Sequence, residues 1–177
     1  GSNTPIQITP HGTGAVTVDG VTILNHNISS SESNADLELT SNGSGNVVMQ
    51  SDLVLEGGFR QAVHTFTGTD AITAAEHAGR INLLGEVGGN ALVTLTLPDA
   101  TGSGNMYEFI VSVQNTSNYV IKVPDADNTI TGQIMYLDED GTAVVSFPTV
   151  AASDTITING GTTGGLVGDT LKLIDIA

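Results

Sequence analysis

Aliphatic and polar residues alternate along most of this chain, in short runs that end at glycine, asparagine or proline. Every second residue is aliphatic in Ile6–Ile8, in Leu37–Leu39 and in Val93–Leu97. A period of two places these side chains on one face of a β-strand, and glycine allows tight turns between strands without a Cβ clash. The pattern therefore predicts an all-β protein.

The first third of the chain contains a repeat. Ile6–Val16 and Leu37–Val47 begin 31 residues apart, and each reads as two alternating aliphatics, a threonine, a two-glycine turn and further aliphatics. Strands this short with one thin apolar face are not stable alone, and no aromatic residue precedes Phe59. We expect these strands to be intertwined in a trimer through Ile6, Ile8, Val16, Val18, Leu37, Leu39, Val47 and Met49. The alternative is a pair of β-hairpins on a monomeric sandwich.

The rest of the chain predicts a compact β domain after a short connector. We expect an extended β-repeat shaft or attachment segment over 1–58, a connector over 59–80 and a β-sandwich domain over 81–177. Within the connector, Thr73 and Glu76 have the spacing of a capping box, and Gly79 occupies the position of a helix C′ glycine. These signals predict one or two helical turns.

Regular short strands fill the segment from Arg80 onward, which is typical of a sandwich or jelly roll. Asp140-Gly141 and Asn159-Gly160 are hairpin signals between alternating runs. The predicted strands are 81–84, 92–97, 107–113, 119–123, 129–137, 142–147, 155–158 and 171–174.

The charge balance narrows the classes of partner. Nineteen acidic residues face four basic ones, for a net charge of −15. Such a chain repels the phosphates of nucleic acids and of anionic membrane surfaces, and no apolar run approaches the roughly 20 residues that span a bilayer. We therefore expect no nucleic-acid partner and no membrane insertion. With no cysteine, disulfides and thiolate metal sites are excluded.

Few residues have the spacing that chemistry requires. Gly102–Gly104 is not a nucleophile elbow, because no helix is predicted after it, and a glycine-rich hairpin explains it better. The sequence predicts neither a catalytic set nor a cofactor, and hence no enzyme.

Metal and glycan sites are weaker alternatives. A trimer could gather three copies of His11 or His26 around its axis, which suits zinc, although surface histidines are the simpler interpretation. Calcium prefers oxygen ligands, but solvated turns explain the two acidic loops better, and tyrosines that could stack on a glycan are more typical of a core or an interface. The acidic loops contain Asp125, Asp127 and Asn128, and Asp138, Glu139 and Asp140; the tyrosines are Tyr107, Tyr119 and Tyr136.

Two parts of the chain resemble virion proteins of tailed bacteriophages. The glycine-turn repeat in Ile6–Val18 and Leu37–Met49 resembles the shaft repeat of trimeric phage fibres. The second half is similar to β-rich modules of phage structural proteins, particularly from marine and cyanobacterial hosts. The segments that carry this second similarity are Thr96–Gly104, Tyr107–Val111, Ala152–Gly160 and Gly164–Asp169.

The resemblance implies a homotrimeric appendage on the exterior of a virion: a tail fibre, a head fibre or a capsid decoration protein. Its expected partners are two further copies of itself, the major capsid or tail protein, and a glycan of the host surface. The family has no shared catalytic residues to transfer. A bacterial surface adhesin or matrix module is the alternative class, and a glycan-cleaving enzyme is a third, although this chain is short for the long β-helix that such enzymes use.

Overall fold

The computed structural model describes residues 34, 36, 39–41, 45, 47–88, 91–114, 118–137 and 144–176, with positions 136, 137, 144 and 145 described by their backbone alone. The chain divides into two compact units, Gly1–Val54 and Leu55–Ala177. No helix in the described ranges is long and apolar enough to cross a membrane.

The described chain is mostly β-structure with one four-residue helix, which confirms the all-β prediction. All its regular elements lie in the second unit. In chain order these are β1 (Val63–Thr65), β2 (Asp70–Ala71), α1 (Ala74–His77), β3 (Ile81–Leu84), β4 (Val93–Thr96), β5 (Met106–Val111), β6 (Tyr119–Lys122), β7 (Gln133–Leu137), β8 (Val144–Pro148), β9 (Thr155–Ile158) and β10 (Thr170–Ile174).

The first six strands alternate between two sheets, whereas β7 and β8 pair only with each other in a third. One sheet has the order β1-β3-β5-β10 and the other has the order β2-β4-β6-β9. The first three strands of each sheet are parallel, because the chain crosses to the opposite sheet after every strand and returns in the same direction. The outer strands β9 and β10 pair antiparallel to β6 and β5. The two sheets together form a strand stack with two ends, and each end has one outer strand from each sheet. These outer strands are β1 and β2 at one end and β9 and β10 at the other.

The core lies between the two sheets and follows the alternation of the sequence. Burial alternates along β3, β4, β5 and β6, so that each strand directs one face inward. Tyr119 is fully buried, and its hydroxyl donates to the Gly85 carbonyl at 2.6 Å. The buried apolar residues are Phe66, Ile72, Leu84, Val93, Leu95, Tyr107, Phe109, Val111, Tyr119, Ile121 and Ile158.

The predicted helical turn is confirmed, and so is its cap. The Thr73 hydroxyl accepts a hydrogen bond from the Glu76 amide at 3.2 Å, as a capping box requires. Gly79 has φ +68°, a conformation that glycine adopts without strain. Segment 59–80, predicted as a connector, contributes β1, β2 and α1 to the second unit.

The predicted positions of the strands agree with the structure, whereas two of the predicted hairpin pairings do not. Predicted strands 81–84 and 155–158 match β3 and β9, and the other predicted strands overlap β4, β5, β6, β7, β8 and β10. The β7–β8 hairpin confirms the signal at Asp140-Gly141. The hairpin predicted at Asn159-Gly160 is wrong, because β9 and β10 belong to different sheets, and the hairpin at Gly102–Gly104 is wrong for the same reason. Both glycine segments carry the chain across the stack instead.

Candidate functional site

An apolar cavity lies at the β9/β10 end of the stack. Its volume is about 650 Å³, which is in the range of ligand and docking pockets. Core residues form the floor, the β7–β8 hairpin forms one wall, and the loop before β10 forms another. The floor includes Leu84, Phe109 and Val111, and the walls include Met135, Phe147 and Leu166.

The same end carries backbone groups that are unpaired among the described residues. The Val111 amide donates to the Asp169 carbonyl, and the Asp175 amide donates to the Asn105 carbonyl. These two bonds show which residues of β10 are hydrogen-bonded to β5. Hydrogen-bonded and non-hydrogen-bonded pairs alternate, so the amides and carbonyls of Thr170, Lys172 and Ile174 point away from β5. Beside β9, the Val123 amide donates to the Asp154 carbonyl. By the same alternation, the amides and carbonyls of Thr155 and Thr157 point away from β6. Two open strand edges therefore flank the cavity.

Asp169 is the one charged residue among the described residues that line the cavity. Its Oδ2 accepts hydrogen bonds from the amides of Gly165 and Leu166 at 2.8 and 3.1 Å. Both bonds go to the same oxygen, which holds the loop before β10 in place. Oδ1 accepts no hydrogen bond from the described residues, so it can receive a donor from outside the chain.

A second cluster lies at the β1/β2 end, where the sheet register gathers residues that are distant in sequence. One nitrogen each of His64 and His77 and an oxygen of Asp70 lie within 4.8 Å of one another. The two imidazole rings meet edge to face with their centroids 4.5 Å apart, and His77 also stacks on Phe66 at 5.4 Å. His77 is 0% exposed, and its Nε2 has no hydrogen-bond partner.

The hydrogen bonding of His77 argues against a metal in this cluster. Its Nδ1 accepts a bond from the Thr73 amide at 3.0 Å, so the proton of the neutral ring lies on Nε2. Histidines that bind a metal ordinarily donate from their second nitrogen, whereas this one accepts there. Nε2–H instead faces Asp70 Oδ2 at 3.9 Å. Burial lowers the pKa of His77, and the neighbouring His64 lowers it further, so His77 is neutral near pH 7.

Asn82 joins this cluster to the sheet. It is fully buried, and its Nδ2 donates to the carbonyls of His77 and Glu108 at 3.1 Å each and to Arg80 at 3.3 Å. The side chain thereby ties the end of α1 to β3 and β5. Its Oδ1 has no partner among the described atoms.

Asp175 anchors the segment after β10. Its carboxylate accepts hydrogen bonds from the hydroxyls of Ser103 and Thr101 and from the amides of Thr101, Gly102 and Ser103, at 2.6 to 3.2 Å. The bond from the Ser103 hydroxyl is the largest of the effects that hold the pKa of Asp175 well below its usual range. Ser103, the serine within Gly102–Gly104, thus donates a hydrogen bond that holds this loop.

Of the eight predicted trimer-interface residues, the described ones are solvent-exposed. Leu39, Val47 and Met49 are each more than half exposed. The remaining five, together with His11, His26 and the acidic loop at 138–140, lie outside the described residues; the five are Ile6, Ile8, Val16, Val18 and Leu37.

The other candidate residues are held within the protein. In the loop after β6, Asp125 Oδ1 accepts bonds from the Asp127 amide and from Asn128 Nδ2, at 3.0 and 2.7 Å. Tyr107 and Tyr119 are buried in the core and offer no stacking face to a glycan. The side chain of Tyr136 lies outside the described part of the structure.

The sequence alone predicted neither the cavity nor the histidine cluster, because both are formed by residues that are distant in sequence. His64 and His77 are separated by 13 positions with no motif spacing, and only the parallel pairing of β1 with β3 and the position of α1 unite them. Asn82 left a signal, because it is a polar residue within the aliphatic run Ile81–Leu84. No family model matches the chain, and neither a curated protein nor a solved structure is significantly similar to it.

Proposed function

We propose that this protein is a non-catalytic structural component of a tailed-bacteriophage virion: a homotrimeric appendage on the exterior of the capsid or tail. In this proposal the shaft over 1–58 is built from β-repeats intertwined among three chains, and each chain adds a sandwich or jelly-roll domain. The appendage stabilises the particle or attaches it to a glycan of the host surface, and it is held by the major capsid or tail protein.

One observation carries the proposal: a run of apolar side chains that the chain itself does not cover. Eight residues over seventeen positions are each more than half exposed. Transfer of apolar surface from water is worth about 25 cal/mol per Å², so a partner that covers these side chains would gain stability from each of them. The eight are Val47, Val48, Met49, Leu53, Val54, Leu55, Phe59 and Val63.

Further copies of the chain are the partner that best fits this run. The run begins inside the second copy of the repeat, at Val47 and Met49, and identical copies of these short aliphatic strands can meet around a symmetry axis. The net charge of −15 per chain opposes association through long-range repulsion. Because salt screens that repulsion, the trimer should become more stable as ionic strength rises from about 10 mM to physiological values.

The mass of the protein in solution tests the proposal directly. Light scattering coupled to size-exclusion chromatography should give three times the chain mass of 18.1 kDa. A stable single chain at micromolar concentration would rule the trimer out. Antibody labelling of intact virions then tests the location, because the label must lie on the head or on the tail, and an unlabelled particle contradicts the virion assignment.

A further inference from the structure

The cavity at the β9/β10 end is open, and none of the described residues of its own chain fills it. Its floor is the core itself, and Met135 in its wall is 72% exposed. The unpaired edges of β9 and β10 border it. Within the described part of the chain, nothing fills the space between these edges. An apolar recess flanked by open strand edges is a site for association with another chain.

Symmetry restricts what can enter it if the protein is the proposed trimer. In a ring of three, each copy contacts the next through two different patches, because self-complementary contacts require a two-fold axis. The cavity of one copy must therefore receive a different surface of its neighbour. This step rests on the proposed function.

Phe59 and Arg60 form a surface of the required chemistry. Phe59 is 73% exposed, although an aromatic ring is usually among the most buried side chains of a domain. Arg60, one of only four basic residues in the chain, is adjacent and also exposed. Aromatic and arginine side chains are the commonest anchors of protein interfaces.

The cavity matches this pair in size and in charge. At about 650 Å³ it has ample room for a phenyl ring. The described residues of its lining include the Asp169 carboxylate and no lysine or arginine. Because Asp169 Oδ1 accepts nothing from the described residues, a guanidinium can bind there without displacing the amides of Gly165 and Leu166 from Oδ2.

We propose that Phe59 and Arg60 of one copy dock into the β9/β10 cavity of the next copy. The Phe59 ring packs on the apolar floor and walls, and the Arg60 guanidinium donates to Asp169. The contact is head-to-tail, and three such contacts close the ring. The second unit of each chain thus adds its own interface to the trimer, independent of the repeat.

Cysteine crosslinking in this cysteine-free chain tests the contact. Phe59→Cys protein is mixed and reassembled with Met135→Cys protein, and the mixture is oxidised. We expect covalent dimers in the mixture that neither variant forms alone. Replacing Met135→Cys by Leu92→Cys, at a position that is also more than half exposed but lies outside the cavity lining, should give none. No crosslink in a mixture of confirmed trimers would overturn the docking while leaving the proposed function intact.

Substitutions measure how much the contact contributes. Phe59→Ala and Arg60→Glu should each weaken trimer association at least tenfold, the usual effect of removing an interface anchor. Met135→Lys should do the same from the cavity side, because a charge then occupies the entrance. Leu92→Lys should leave association unchanged. If wild-type protein is monomeric, the proposed function fails; if it is trimeric and these variants remain as tightly associated, only the docking fails.

Discussion

The two ends of the strand stack are completed in different ways. At the β1/β2 end, the buried ring of His77 from α1 stacks on Phe66, and Asn82 bonds three carbonyls. At the β9/β10 end, the core opens into an apolar cavity of about 650 Å³. The same kind of alternating strands thus ends in a hydrogen-bonded polar cluster at β1/β2 and in an apolar recess at β9/β10. Among the described residues, the apolar recess therefore lies at the β9/β10 end.

Phe109 tests whether both ends belong to a single core. It is 1% exposed, stacks with Phe66 at 6.3 Å and also lines the cavity floor. Phe109→Ala should lower the free energy of unfolding by about 3–5 kcal/mol, the range for removal of a buried aromatic ring. Chemical denaturation at fixed protein concentration gives the value.

The control for this change is Leu92→Ala, at an exposed position outside the cavity. It should alter the free energy of unfolding by no more than about 0.5 kcal/mol. An equally small effect of Phe109→Ala would show that the two ends do not share a core.

Asn82 tests the polar closure of the β1/β2 end. Asn82→Leu has a similar volume but removes the side-chain donor from the carbonyls of His77 and Glu108, at a cost of about 1–3 kcal/mol. Asn82→Asp should cost more at pH 7, because a buried carboxylate then faces those carbonyls. Urea denaturation of both variants checks the order, and an Asp variant as stable as wild type would contradict this role of the amide.

The alternation of apolar and polar residues predicted where most strands lie, but it did not predict which strands pair with each other. Val93 and Leu95 alternate with threonines, and that alternation is enough to identify β4. It does not reveal that β4 pairs in parallel with β2 and β6, because the chain's crossing to the other sheet leaves no mark on a single strand. Asn159-Gly160 has the composition of a hairpin turn, yet Asn159 Oδ1 accepts bonds from three successive amides in a crossover loop.

The candidate site was less predictable than the fold. The cavity arises where two outer strands from different sheets leave a gap, so no run of sequence encodes it. Phe59 was visible as the first aromatic residue, but its exposure follows only from the folded chain. The histidine cluster likewise depends on the pairing of β1 with β3, which sequence spacing does not indicate.

His77 makes the stability of the β1/β2 end dependent on pH. Its pKa is lowered by burial and by His64 and is partly restored by the Thr73 backbone, Asp70 and Glu76. A group with a lowered pKa binds fewer protons in the folded state, so its contribution is complete above the unfolded pKa of about 6.5 and is lost as pH falls below it.

We therefore expect the free energy of unfolding to decrease between pH 7.5 and 5.5. His77→Gln, which offers an oxygen to the Thr73 amide but does not titrate, should show a flatter profile over the same range. Identical slopes for the two proteins would mean that His77 does not control this transition.

Asp175 has the smallest expected effect, and it acts on the β9/β10 end. Its carboxylate joins the end of β10 to the loop 101–104 through five hydrogen bonds. Asp175→Asn keeps one acceptor oxygen but loses the charge and the second, so amide hydrogen exchange at Thr101, Gly102 and Ser103 should accelerate at pH 7. Because the pKa of Asp175 is held low, the wild-type contribution is present above the unfolded pKa of about 3.9 and declines as pH falls toward the folded value. The difference between the two proteins should therefore narrow in acid, whereas equal exchange rates at pH 7 would show that β10 does not depend on this carboxylate.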